Sequence, residues 1–243
     1  MFAITMTLML AAALPPAALQ SAAAMRAPDA DAIATDRLRD LQMTMIVVQA
    51  NGDELTKIGG DFRTSYRFKR MDIAYKSPNK TRLETRILGR PVTVVYNGGK
   101  KFVHVLVHKE TRDITNQPGQ KQSLLNLGIF AKDFLATDYQ AAYLRAEKNL
   151  HVYRLNQRHT TNKAFEIVWV NPKTAVIEKR KSFGGDGKLR METRHTKIVQ
   201  PKPGVWVPMR VEVYNQFGKL AGVQEFQNLR VNVGVPDSTF ATS

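Results

Sequence analysis

Turn signals recur through most of this chain at intervals of about ten residues, and the segments between them alternate apolar with polar side chains. Ser77-Pro78-Asn79-Lys80, Asn97-Gly98-Gly99, Lys148-Asn149, Asn171-Pro172, Gly184-Gly185-Asp186-Gly187 and Asn215-Gln216-Phe217-Gly218 are such signals. Asn-Gly between two alternating runs is the strongest short hairpin signature, because its residues accept the positive φ of a tight turn. The spacing predicts a mainly β (α+β) fold: a twisted antiparallel sheet of about eleven strands, in one domain with no dividing linker. Two helical segments interrupt it. Thr35-Asp36 offers N-caps for a short helix at Arg37 to Leu41. Ser123 to Thr137 places Leu124, Leu127, Ala131, Phe134 and Leu135 on one helical stripe, with a break near Gly128.

Strand periodicity then sorts side chains by face. Phe62-Arg63-Thr64-Ser65-Tyr66-Arg67-Phe68-Lys69 alternates strictly, so a strand there sends Phe62, Tyr66 and Phe68 to one face and Arg63, Arg67 and Lys69 to the other. Leu83 and Ile87 alternate in the same way, as do Val94 and Val105 in their own runs, and Phe165, Ile167 and Trp169. The expected apolar face is therefore Phe62, Tyr66, Phe68, Leu83, Ile87, Val94, Val105, Phe165, Ile167 and Trp169. Aromatic–basic interleaving also suits single-stranded nucleic acid, but stacking in a basic groove needs both on one face. Alternation separates them, so a nucleic-acid partner is not expected.

The first 24 residues carry no charge, and an apolar run to Leu14 is broken by Pro15-Pro16 and followed by Ala22-Ala23-Ala24. This is the pattern of a signal peptide cleaved near Ala24, leaving residues 25–243 as the exported mature domain. There is no cysteine, hence no disulfide, thiolate metal site or lipid-modified cysteine. The net charge of +15 favours anionic partners or membrane surfaces, or serves only solubility.

Catalytic signatures are missing. His104 and His108, read as one strand running from Phe102 to His108, share a face but lie about 13 Å apart, too far for one metal ion. No Gly-x-Ser-x-Gly occurs. The glycine cluster at 184–187 lacks the spacing and the Ser/Thr of a phosphate loop and reads as a hairpin turn. Carboxylates are scattered. No enzyme, metal site or cofactor is expected.

Several stretches together resemble the LolA-type outer-membrane lipoprotein carriers and the wider outer-membrane lipoprotein-sorting superfamily. They are the opening at Arg37 to Val48, the run Tyr66-Arg67-Phe68-Lys69-Arg70 with Pro78-Asn79-Lys80-Thr81-Arg82-Leu83-Glu84, and the Tyr96-Asn97-Gly98-Gly99-Lys100 turn. The mid-chain helical insertion, Val205-Trp206-Val207-Pro208 and the ending Asn232-Val233-Gly234-Val235-Pro236-Asp237-Ser238-Thr239-Phe240 add to the likeness, the ending most specifically. The resemblance implies an incomplete barrel whose helical lid, here Leu124, Leu127, Phe130, Phe134 and Leu135 at about 123–137, covers an apolar cavity. It implies a carrier, without cofactor, for the acyl chains of a lipid or lipoprotein, between an inner-membrane transporter and an outer-membrane acceptor. Other members are envelope-stress sensors, which implies as alternative a non-catalytic module docking a protein or, peripherally, an anionic membrane through Arg63, Arg67 and Lys69. It further implies a strand arginine beside the cavity in contact with the lid, for which Arg63 and Arg67 are candidates.

Overall fold

A computed structural model describes residues 34–105, 107–117, 121, 124–158, 161 and 163–242. The expected signal peptide, His159 and much of the loop at 117–120 lie outside them. Among the described residues thirteen strands form one antiparallel sheet rather than about eleven: β1 Asp40–Ala50, β2 Arg70–Lys76, β3 Lys80–Ile87, β4 Arg90–Asn97, β5 Lys100–Val105, β6 His108–Asp113, β7 Tyr139–Glu147, β8 Leu150–Gln157, β9 Phe165–Asn171, β10 Val176–Phe183, β11 Leu189–Lys202, β12 Val205–Asn215 and β13 Leu220–Val231. Their order is β6-β5-β4-β3-β2-β1-β13-β12-β11-β10-β9-β8-β7, so the sheet is an incomplete barrel with β6 and β7 at its edges. The one non-sequential neighbour pair joins β1 to β13 at the centre, which makes the fold two meanders zipped by the chain's first and last strands.

Among the described residues three short helices, α1 Gly52–Ile58, α2 Gly60–Ser65 and α3 Lys132–Asp138, and a 3₁₀ turn at Leu124–Leu127 pack on one face, here the inner one. Directly opposed residues of paired strands share a face. Leu41, Met43, Met45 and Val47 of β1 therefore point inward with Tyr75, Ile73 and Met71 of β2, and join Val211, Val213, Phe226 and Leu55 of α1 in the main apolar core. A second core holds Phe130, Leu135, Tyr139, Tyr153, Val168 and Ile177. On the outer face a 3₁₀ turn at Asp237–Phe240 buries Phe240 against Ala74 and Val95.

Three expected elements are corrected. Arg37 to Leu41 is not a helix but a bend at Arg37 that runs into β1 from Asp40. Thr35 Oγ1 accepts from Arg37 N at 3.1 Å, but no turn follows. Instead the Asn232 side chain accepts from Arg39 N and donates to Arg37 O, both at 2.8 Å, and Asp40 starts the ladder with Lys76. The run from Phe102 to His108 is two strands joined by a turn, with Val105 paired to His108 and His104 to Lys109. His104 and His108 therefore sit on separate strands. Most consequentially, Phe62 to Lys69 is not a strand. It is α2 and the turn after it.

The helical insertion was expected, and it is present as the 3₁₀ turn and α3 on either side of Gly128. Gly128 has φ of 75°, and a Cβ there would come within 2.7 Å of the His195 ring and 2.8 Å of the Ile177 carbonyl. Close approach and left-handed backbone both require glycine.

Candidate functional site: an apolar cavity beneath the helices

Asn51 begins the construction of the site. Its side chain accepts hydrogen bonds from Asp53 N and Glu54 N, each at 3.2 Å, which satisfies two of the orphan donors at the start of α1. Leu55, Ile58, Phe62 and Tyr66 then recur at intervals of three and four, one stripe across two helices divided at Gly59. Leu55 and Tyr66 are buried. Tyr66 packs against Gly222 of β13, where a Cβ would meet its ring at 2.2 Å. Buried Asn215 holds the same first turn of α1 to β12 by donating to the Glu54 carboxylate.

Between this cover and the inner face lies a cavity of about 400 Å³, within the range of small-molecule sites. Its cover is Phe62, Tyr66 and Phe68 on one side and Leu124 and Leu127 of the 3₁₀ turn on the other. Its floor includes Met45, Met71, Ile73, Leu83, Met191, Val213 and Phe226. Three methionines give the lining adaptable shape. A neighbouring cavity of about 290 Å³ shares Tyr75 and Leu124 with it and is lined in part by the Lys121–Asp138 ion pair at 2.6 Å.

A buried charged group reaches the apolar floor. Arg180 of β10 is buried; it donates through Nη2 to Glu166 and through Nη1 to Asn126 Oδ1 at 3.1 Å. Asn126 belongs to the 3₁₀ turn, so this strand arginine ties sheet to cover. The Asn126 carbonyl in turn meets His195 Nε2 at 3.3 Å. Complete burial, reinforced by the Arg180 charge, drives the His195 pKa down to about 4. Burial also raises the Tyr66 phenol above its ordinary value.

The structure brings six expected residues to this cavity: Phe62, Tyr66, Phe68, Leu83, Leu124 and Leu127. Phe130 and Leu135 instead anchor the insertion in the second core. Phe134 is in α3, but its side chain lies outside the described residues. Val94 and Val105 share the inner face through the pairs Leu83–Val94 and Val92–Val105, yet sit beyond the cavity, and Ile87 is 42% exposed at the end of β3.

Phe165, Ile167 and Trp169 face outward. Trp169 pairs across with Lys179, whose Nζ stands 3.7 Å over its ring, and Phe165 stacks on Phe183 at 4.7 Å beneath Arg154. The alternate set turns inward: Val168 and Val170 in the core and Glu166 to Arg180. Both faces of β9 are apolar enough to bury, so alternation alone left its orientation undetermined. Arg63, Arg67 and Lys69 are exposed, and Arg63 and Arg67 belong to the cover, not to a strand. The buried arginine in contact with the cover is Arg180. Sequence reasoning missed it because Arg180 and Asn126 are 54 residues apart. It also missed the cover at residues 52–65, whose signal was present as Asn51 three residues before Glu54 and the stripe that follows.

Among the described residues no three His, Asp or Glu side chains gather as a metal-binding group, and no helix is long and apolar enough to cross a membrane.

An open antiparallel half-barrel with helices over an apolar cavity is the LolA-like fold, and solved structures bear this out. The chain is similar to an outer membrane lipoprotein-sorting protein domain from Vibrio parahaemolyticus, with TM-score 0.55 and 13% identity over 86% of this chain and 92% of that one. It is similar to a LolA superfamily protein from Nitrosomonas europaea, with TM-score 0.54 and 15% identity over 88% and 94%. A DUF1329 family protein from Desulfovibrio piger ATCC 29098 superposes with TM-score 0.53 and 14% identity over 85% and 91%. No protein-family model and no curated protein sequence matches the chain. At these identities the likeness is one of fold.

Proposed function

We propose that this protein is a periplasmic carrier that shields the acyl chains of a lipid or lipoprotein in the cavity beneath α1–α2 and the 3₁₀ turn. One observation carries the reading: a cavity of about 400 Å³, mostly apolar, roofed by short helices instead of closed by further strands. Each methylene moved from water into such a lining contributes about 0.8 kcal/mol, so a long chain is held without any covalent step. The ligand-binding role is assigned to Phe62, Tyr66, Phe68 and Leu83, with Leu124 and Leu127 as part of the lid. Donor and acceptor would be an inner-membrane transporter and an outer-membrane site, and no catalysis or cofactor is involved. The exposed Arg63, Arg67 and Lys69 beside the cover favour a second role, docking to an anionic membrane or an acidic partner.

Native mass spectrometry of the gently purified protein tests the carrier reading, with displacement of an apolar dye from the delipidated protein. Co-purified lipid and saturable dye uptake are expected. Phe68→Glu places a carboxylate in the lining and should abolish uptake. Absence of both lipid and dye binding in the folded protein would refute the proposal.

A further inference from the structure

β6 is an open edge of the sheet, and all of its residues except Glu110 are exposed. An open edge leaves every second residue with its backbone N–H and C=O pointing away from the sheet. Ile114 decides which residues those are. Its N–H donates to Gly99 O at 2.7 Å, continuing the β5–β6 ladder past the end of β6. Alternation then turns His108, Glu110 and Arg112 toward β5, and Lys109, Thr111 and Asp113 outward. The Asp113 carbonyl accepts from Gln117 Nε2 at 3.3 Å and keeps a second lone pair.

Charges on an edge ordinarily keep two edges apart. On β6 their order does so in every register but one. Two copies related by a two-fold axis pair antiparallel, and outward groups of one meet only outward groups of the other, so one residue always lies opposite itself. Lys109, Glu110, Arg112 or Asp113 on the axis would set like charges together. Thr111 alone is uncharged between positions 109 and 113. With Thr111 on the axis, Lys109 of one copy faces Asp113 of the other, and Glu110 faces Arg112. Every charge from 109 to 113 then meets its opposite, and the threonines form a favourable cross-strand pair. Glu110 and Arg112 fall at the closer, non-hydrogen-bonded spacing, about 4.5 Å between Cα atoms. The Glu110–Arg112 ion pair within each strand becomes half of an alternating ring of charges.

We propose that β6 is a self-association surface, and that a second copy of this chain adds its own β6 antiparallel, centred on Thr111. The axis stands perpendicular to the sheet, so the sheet runs on through both copies with their inner faces on one side. The opposite edge has no such pattern: Gln140 to Leu144 of β7 are uncharged and select no register.

Sedimentation velocity over a concentration series tests the proposal, and a monomer–dimer equilibrium is expected for wild type. Glu110→Arg and Arg112→Glu should each weaken it, by up to roughly thirty-fold for two lost cross-strand pairs at the top of their range. Mixing these two variants should restore association, because the arginines of one then face the glutamates of the other. The double variant Glu110→Arg with Arg112→Glu should self-associate like wild type. Neither recovery follows from damage to the fold. Thr111→Pro deletes an N–H that β5 does not use, so it should leave the β5–β6 ladder intact and abolish the dimer. A wild type that stays monomeric up to about 1 mM, where only a contact of negligible affinity escapes detection, would overturn the proposal. So would a dimer that survives Thr111→Pro, or a mixture of the two single variants that stays monomeric.

Discussion

At the scale of single residues, the junction of sheet and cover is a polar cluster inside an apolar core. Arg180, Glu166, Asn126 and His195 are joined in one chain of contacts, and Gly128 leaves the room His195 needs. A buried ion pair contributes little net stability because desolvation offsets attraction. Its value here is geometric: it fixes which part of the 3₁₀ turn meets which strand. His195 makes this junction sensitive to acid. Its pKa is about 4 in the folded chain against about 6.5 when unfolded, so the unfolded state takes up the proton first as pH falls. The contribution of neutral His195 is therefore complete above pH about 6.5 and is lost progressively down to about 4, amounting to about 3 kcal/mol. Urea unfolding of wild type and His195→Gln across that window should show a steeper fall for wild type by about this amount. Parallel curves would show that His195 is not the titrating group.

At the scale of elements, the cover is where sequence and structure part most instructively. Hairpins with Asn-Gly or glycine-rich turns were legible because turn chemistry is local, and so was the break at Gly128. Phe62 to Lys69 alternates like a strand, yet four alternations are also compatible with a helix turn followed by an irregular one. What decides is upstream. The Asn51 cap starts a helix, and the stripe Leu55, Ile58, Phe62, Tyr66 carries it through. Aromatics and cations still part company, now by helical spacing: Phe62, Tyr66 and Phe68 line the cavity while Arg63, Arg67 and Lys69 are exposed. The Arg180–Glu166 pair was illegible in principle, since charges are read as surface until a partner of opposite sign is found in space. Helices of six or seven residues cannot persist alone, so this cover is held by its cap, by Leu55 and by Tyr66. Asn51→Ala should cost about 1 kcal/mol and speed amide hydrogen exchange across residues 52–65 several-fold, with the β1 and β13 amides unchanged. Uniform acceleration over the sheet would mean that the cover does not open by itself.

At the scale of the whole molecule, charge is the open variable. Lys and Arg number 36 against 21 Asp and Glu, a surplus of 15. Ion pairs on the sheet, such as Arg210 between Glu212 and Glu225, and Lys76 and Lys80 on Asp237, join cations to anions and leave that surplus unchanged. Pairs as exposed as these add little stability. They do cancel each other's field. Arg63, Arg67 and Lys69 are different: exposed, beside the cavity, and in no ion pair among the described residues. Each basic side chain near an anionic bilayer contributes about 1 kcal/mol, and that attraction fades over a Debye length of about 10 Å at 0.1 M salt and about 3 Å at 1 M. Co-sedimentation with anionic vesicles should accordingly be strong near 0.1 M salt and lost near 1 M, roughly following that screening. Replacing Arg63, Arg67 and Lys69 together by glutamate should weaken it by roughly a hundred-fold at low salt, about 3 kcal/mol for three contacts, while apolar dye uptake persists. Should the triple variant still sediment like wild type, the surplus acts diffusely over the sheet, and the cavity has no oriented approach to a membrane.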